Sequence, residues 1–212
     1  MAPLYSAVMR LRAFCYRVGI FSRYQLPVPV VSIGNLTMGG TGKTPMVIHV
    51  AKLLQNQNNK VVILSRGYGG KATGQVNIVS DGVEILLDAA TAGDEPRLLA
   101  DTLSGVPVLT GAKRTVTGRY AVENFGPGVV LLDDGFQHMA IARDLDLVLF
   151  SAATLLGNGW VFPGGELREP QSALGRAHCF IITGVDDNNR PAALAFKKYL
   201  ADRFSGKPVF FC

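Results

Sequence analysis

The residues Gly34-Asn35-Leu36-Thr37-Met38-Gly39-Gly40-Thr41-Gly42-Lys43-Thr44 follow an apolar run and open a helical pattern. Glycines at such a junction let backbone N–H groups turn toward an anion, and the helix N-terminus adds partial positive charge, so the chemistry on offer is phosphate binding. In that reading the loop from Thr37 to Thr44 cradles a nucleotide, Lys43 reaches the β- and γ-phosphates, and Thr44 offers its hydroxyl to Mg²⁺. The strict pattern has glycine five residues before Gly42; Thr37 stands there instead, and Gly39 and Gly40 supply the turn. A phosphate loop needs an acid at the end of another buried strand. Val129-Val130-Leu131-Leu132-Asp133-Asp134 provides two, at the carboxyl edge where α/β sheets bind ligands. One aspartate would hold Mg²⁺ directly or through water and the other would orient it, and the sequence leaves open which does which.

Three more segments fall near the same edge. Leu64-Ser65-Arg66-Gly67-Tyr68-Gly69-Gly70 carries an arginine and a tyrosine on a flexible loop. Gly93-Asp94-Glu95-Pro96 opens a helix, with Asp94 placed either as N-cap, Pro96 falling near N1–N2, or as a reacting carboxylate. Pro163-Gly164-Gly165-Glu166-Leu167-Arg168-Glu169-Pro170 presents Arg168, a clamp for phosphate charge or a surface ion-pair partner. His138 and Gln137 gain interest from their proximity to the two aspartates, whereas His49 reads as a helix residue and His178 as a strand residue without a visible partner. Cys15, Cys179 and Cys212 share no metal or redox spacing, which fits a reducing compartment.

The elements that must position these groups alternate. Strands are expected at Val30–Gly34, Val61–Ser65, Val76–Val79, Val106–Leu109, Val129–Leu132, Leu145–Phe150 and Phe180–Thr183. Helices are expected at Lys43–Gln55, Glu95–Leu103, Thr115–Asn124 and Pro191–Phe204. Apolar runs joined by helical crossovers give an α/β fold with a mostly parallel sheet and flanking helices. Ser80-Asp81-Gly82 predicts a hairpin turn between Val76–Val79 and Glu84–Leu87, and Val209 to Cys212 reads as a further strand. Ahead of these, residues 1–24 carry Leu4, Val8, Leu11, Cys15 and Val18 at four- and three-residue spacing with Arg10, Arg12 and Arg17 between them, an amphipathic helix that either lies on a membrane surface, packs on the fold or serves as a targeting segment. Arginines inside the stretch argue against a secretory signal.

Composition agrees with that division. Charged residues are 17% against a typical ~25%, and 48% are hydrophobic. Gly, Pro or Asn nevertheless interrupts each long uncharged stretch, so none supplies the roughly 20 apolar residues of a spanning helix. Residues 1–80 hold nine Lys or Arg and no acid, while all 16 Asp and Glu lie at or beyond Asp81. A basic front half on an acidic rear points to an oriented anionic partner, a ligand or a membrane surface, rather than to nucleic acid.

Five segments in this order, the phosphate loop through Pro45, Leu64 to Gly69, Gly93 to Pro96, Asp133 to His138 and Leu167 to Pro170, resemble the tetraacyldisaccharide 4'-kinase family of lipid A biosynthesis. The resemblance implies a P-loop NTPase-like fold on the cytoplasmic face of the inner membrane, held there peripherally or monotopically by the N-terminal helix. It implies ATP and Mg²⁺ as cofactors and transfer of the γ-phosphate to the 4'-hydroxyl of an acylated disaccharide 1-phosphate, forming lipid IVA. It makes Thr37, Met38, Gly39, Gly40, Thr41, Gly42, Lys43, Thr44 and Gln137 nucleotide-binding. Thr44, Asp133 and Asp134 become metal-associated, and Asp94, Lys43 and Arg168 catalytic, Asp94 near the acceptor hydroxyl and Arg168 near the reacting phosphates. The resemblance also divides the chain into a membrane-facing helix over 1–24 and a kinase domain over 25–212 expected to lack a C-terminal portion, since family members run further and carry a partner histidine for Asp94 there. A second expectation, a membrane-associated switch ATPase of the partition or metallocentre-insertion kind, calls for a lysine before the two glycines, where this chain has Met38.

Overall fold

The computed structural model describes residues 2–212. In chain order the elements are α1 (Ala2–Arg17), β1 (Val30–Asn35), α2 (Lys43–Asn56), β2 (Val61–Ser65), β3 (Asn77–Ser80), α3 (Ala89–Ala92), α4 (Asp94–Thr102), β4 (Val108–Thr110), α5 (Arg114–Phe125), β5 (Val129–Asp133), β6 (Leu145–Ser151), β7 (Cys179–Thr183), α6 (Arg190–Arg203) and β8 (Val209–Phe211). A 3-10 helix covers Gln171–Arg176. These elements fall into two compact units, one of Arg23–Ile33 and Thr44–Asp144, the other of residues up to Ser22, Gly34–Lys43 and Leu145–Cys212.

In the first unit the strands lie in the order β3-β4-β2-β5-β1. β2 pairs in parallel with β4 and β5, and β5 with β1. Every residue of β2, β4 and β5 is buried, as expected of strands covered on both faces. Their core joins Val62, Leu64, Leu109, Val130 and Leu132 to Ala121 of α5 and to Leu26 and Ile141. β4 starts two residues later than expected because Pro107 has no N–H to give the ladder; its carbonyl still accepts from the Ile63 N–H at 2.9 Å.

The expected hairpin is only partly formed. Asp81 Oδ1 accepts the Val83 and Glu84 N–H groups at 2.8 Å each and closes the turn. Beyond it, Glu84 to Leu87 makes one isolated bridge, Ser80 with Ile85, and is not a strand. β3 pairs instead with β4, antiparallel, and forms the mixed edge of an otherwise parallel arrangement.

The second unit carries β6, β7 and β8 in that order, all parallel, so the run from Val209 does form a strand. Phe150 and Phe180 are fully buried with ring centroids 6.1 Å apart, and Phe196 of α6 meets Phe150 edge-on at 5.0 Å. α1 belongs to this unit and stops at Arg17, short of the expected boundary at 24. Its apolar stripe faces outward: Leu4 is 72% and Leu11 62% exposed, and Val8 and Val18 are exposed as well, with Cys15 half-buried. Among the described residues no helix is long and apolar enough to cross a membrane.

Candidate functional site

The phosphate loop is held by its own first residues. Asn35, the buried end of β1, donates from Nδ2 to the Thr37 carbonyl at 2.8 Å and accepts from Lys43 Nζ at 3.4 Å, so one amide ties the start of the loop to the lysine that ends it. Gly39 and Gly42 adopt φ of 106° and 76°, a region costly for a side chain with Cβ. A Cβ on Gly39 or Gly40 would meet no atom within 4 Å, which leaves the space a phosphate needs next to the backbone. Among the described residues the hydroxyls of Thr37 and Thr41 are buried without a hydrogen-bond partner. The Thr41 carbonyl accepts from the Thr183 hydroxyl of β7 at 3.0 Å.

Arg168 is brought to this loop by backbone pairing that spacing alone does not reveal. The Met38 N–H donates to the Glu166 carbonyl at 2.7 Å, the Arg168 N–H to the Leu36 carbonyl at 2.8 Å, and Thr37 bridges Leu167 in antiparallel register. Glu169 next to it is buried and ion-paired to Arg176 at 2.8 Å, which anchors the turn. From α1, the Tyr5 hydroxyl reaches the Arg168 carbonyl at 3.4 Å.

In the other unit the two aspartates end β5. Register sets Asp133 beside Ile33 of β1. Asp133 is 1% exposed and its Oδ2 accepts the hydroxyl of Ser65, the last residue of β2, at 2.9 Å. Asp134 turns left-handed at φ 50°, and Gly135 follows where a Cβ would lie 2.7 Å from both Leu132 Cβ and Ser32 Oγ. Gln137 and His138 come next, both half-buried, and the His138 N–H closes the turn onto the Gly135 carbonyl at 2.9 Å.

Two residues here escaped sequence reasoning. One is Ser65, read only as the end of a strand. The other is Arg114, the first residue of α5 and only 5% exposed. Burial lowers its pKa most, the neighbouring Arg66 charge lowers it further, and Asp134 and Asp133 push it back up. A guanidinium stays charged under any such shift, so Arg66 and Arg114 are two cations set near two carboxylates. The signal that could have found Arg114 is its place just past β4, on the same βα edge as Arg66.

Asp94 corrects one expectation. It is the first residue of α4, and Gly93 occupies the cap position at φ 95°, so the carboxylate is not a cap and stands exposed. Pro96 is accordingly the third helical residue. Only glycine fits at 93, because a Cβ there would lie 2.6 Å from the Tyr68 carbonyl oxygen. Gly70 is equally constrained, its Cβ position 2.5 Å from the Thr91 oxygen, so the Arg66–Gly70 loop lies directly against the segment that leads into Asp94.

The histidines divide. His49 is exposed on α2. His178 has a partner after all, Nδ1 accepting the Asp146 N–H at 2.9 Å, which is a structural role. Among the described residues no three His, Cys, Asp or Glu side chains cluster as a metal site. Mg²⁺ asks less of a protein, one or two carboxylates completed by water and phosphate oxygens, and the buried, hydroxyl-braced Asp133 with Asp134 beside it suits that demand.

A family description, tetraacyldisaccharide-1-P 4'-kinase, matches residues 1–208. The chain belongs to that family. It is 52% identical over 210 residues to the tetraacyldisaccharide 4'-kinase of Desulfotalea psychrophila, covering 99% of this chain and 60% of that protein. The Pelobacter propionicus enzyme of the same name is 48% identical over 85% of this chain and 50% of its own length. Among solved structures, LpxK from Aquifex aeolicus in complex with ATP superposes with a TM-score of 0.83 at 36% identity, over 99% of this chain and 62% of that one. The chain thus spans about 60% of the length of the first of these relatives. MinD, the cell division protein of Aquifex aeolicus, matches at a TM-score of 0.50 and 15% identity, a likeness of fold alone. The family membership and the P-loop NTPase-like fold expected from the five segments both hold.

Proposed function

We propose that this chain binds ATP through its phosphate loop and serves the transfer of the γ-phosphate to the 4'-hydroxyl of a tetraacyldisaccharide 1-phosphate, giving lipid IVA. The observation that carries the reading is the family match over residues 1–208, which takes in all five of the ordered segments. Phosphoryl transfer asks a protein for positioning and charge neutralisation more than for covalent chemistry. Loop N–H groups from Thr37 to Gly42 cradle the phosphates, and Lys43, poised on Asn35, swings onto the β- and γ-oxygens. Arg168, carried by a strand-like pairing with the loop, counters charge that develops on the transferring group. Thr44, Asp133 and Asp134 would hold Mg²⁺, which would supply neutralisation of the phosphate charge. Gln137 lies close to the nucleotide phosphates, and the exposed Asp94 orients the acceptor hydroxyl and takes its proton.

The acceptor is a lipid, and α1 fits its delivery. An exposed stripe of Leu4, Val8, Leu11 and Val18 beside Arg10, Arg12 and Arg17 suits a reversible dock on an anionic leaflet, each arginine adding about 1 kcal/mol near the surface. The place of action is then the cytoplasmic face of the inner membrane. Incubation with γ-labelled ATP and the disaccharide lipid tests the reading: label in the lipid-extractable product supports it. Label found only as free phosphate overturns it in favour of a switch ATPase.

A further inference from the structure

A cavity of about 560 Å³ opens within the second unit, away from the phosphate loop's glycines. Its lining includes Ser6 and Arg10 of α1, Trp160, Gln171 and Ser172, and Arg203 at the end of α6. Two arginines thus converge from elements nearly 200 residues apart in the chain, and no carboxylate lines the space; Asp202, next to Arg203, is not part of the wall. Among the described residues Arg10 has no ion pair, and the Arg203 guanidinium lies 5.9 Å over the Tyr199 ring. The wall is braced: Gln171 accepts the Tyr199 hydroxyl at 2.7 Å, and the Trp160 N–H donates to Asn158 Oδ1 at 3.0 Å. Trp160 itself is 65% exposed, an amphipathic ring of the kind that settles at membrane interfaces.

At 100° per residue, Arg10 lies about a third of a turn around α1 from the Leu4–Val8–Leu11 stripe, and Ser6 nearly half a turn. A lipid with its chains along that stripe would therefore carry its headgroup to the cavity mouth. The volume is that of a small-molecule site, and two arginines in its wall suit a phosphate. We infer that this cavity receives the phosphodiester headgroup of an anionic membrane phospholipid, distinct from the lipid that is phosphorylated. The inference rests on the membrane-docking reading of α1.

Trp160 is the single tryptophan of the chain and so reports the cavity directly. Its emission is followed while the protein is titrated with short-chain phosphatidylglycerol below micelle formation, and in parallel with phosphatidylcholine of the same chain length, inorganic phosphate and the disaccharide 1-phosphate. The expected result is a saturable blue shift with phosphatidylglycerol alone, weakened about fivefold by Arg203→Ala, the loss of ~1 kcal/mol for one arginine. Arg190→Ala, at the opposite end of α6, leaves it unchanged. An equal response to phosphatidylcholine or to phosphate, displacement by the disaccharide lipid, or an Arg203→Ala titration like the parent's overturns the proposal. Leu11→Glu, assayed by vesicle sedimentation, separates the two readings: unaltered sedimentation defeats docking through α1, whereas the Trp160 titration in free solution needs no vesicle.

Discussion

The phosphate loop and the carboxylate edge are built by opposite means. The loop's side-chain ties lie within ten residues, Asn35 to Thr37 and Lys43, and its Gly39 and Gly40 face open space, while its backbone is pinned to Glu166, Leu167 and Arg168. The edge is held by contacts across the chain, Ser65 to Asp133 and Arg114 toward both aspartates, and by glycines that face other atoms at less than 3 Å. A loop whose distant ties run through its backbone can lose a side chain with little effect on the fold, whereas an edge braced by side chains from distant strands cannot. Substitutions in the first region should therefore register as function, and in the second as stability.

The largest effect tests the functional half of that contrast. On the proposed reading, Lys43→Ala should lower γ-phosphate transfer by about a thousandfold while the urea midpoint barely moves, since it takes away a cation that counters charge on the transferring group. Undiminished transfer would dissolve the phosphate-loop assignment. Next, Gly135→Ala should destabilise by about 2–3 kcal/mol in urea unfolding, because Leu132 and Ser32 must both give way. Ser65→Ala should cost about 1.5 kcal/mol by the same measurement, the price of an orphaned hydrogen bond to a buried carboxylate. Gly40→Ala sharpens the contrast from the other side: its Cβ enters empty space at an ordinary φ, so stability should stay within about 0.5 kcal/mol while nucleotide affinity, read by calorimetric titration, falls.

The smallest effect concerns the platform beneath Asp94. Asp88 caps α3, and its pKa is lowered by the Thr91 hydroxyl first and the Thr91 N–H second. A carboxyl so depressed stabilises the fold above its unfolded pKa of about 3.9 and loses that contribution as pH falls through the folded value. Asp88→Asn should therefore flatten the decline in unfolding midpoint between pH 5 and pH 3. An undiminished decline would place the acid sensitivity elsewhere.

The same contrast explains what could be read from the sequence. The phosphate loop was legible because a turn, a lysine and a helix start are coded side by side, and β2 because five apolar or small residues lie between breaks in the pattern. Arg168's approach to the loop was not, since it depends on Leu36 and Thr37 pairing with residues some 130 positions away. Arg114 was passed over for the same reason: a helix-opening arginine looks solvated until two strand-end acids and a covering layer appear around it. The cap alternative for Asp94 stayed open in the sequence because the glycine that takes the cap position acts through its lack of a side chain, and its reason for being there, the Tyr68 carbonyl, lies in another segment. Of the expected hairpin only the Ser80–Ile85 bridge formed, and the strand that pairs with β3, β4, begins 28 positions further along the chain than Ser80, where turn spacing does not point.

Asn35 uses both ends of one amide, giving a proton to Thr37 and taking one from Lys43. Its slow hydrolysis to aspartate would alter the protein by a single functional group, yet invert the arrangement. The new carboxylate has no proton to give the Thr37 carbonyl and a full charge with which to retain the lysine. The loop would be released at its start and its cation sequestered at its end, an ageing lesion invisible to circular dichroism. Burial of the amide is thus also protection, setting the chemical shelf life of the site apart from the thermal stability of the fold.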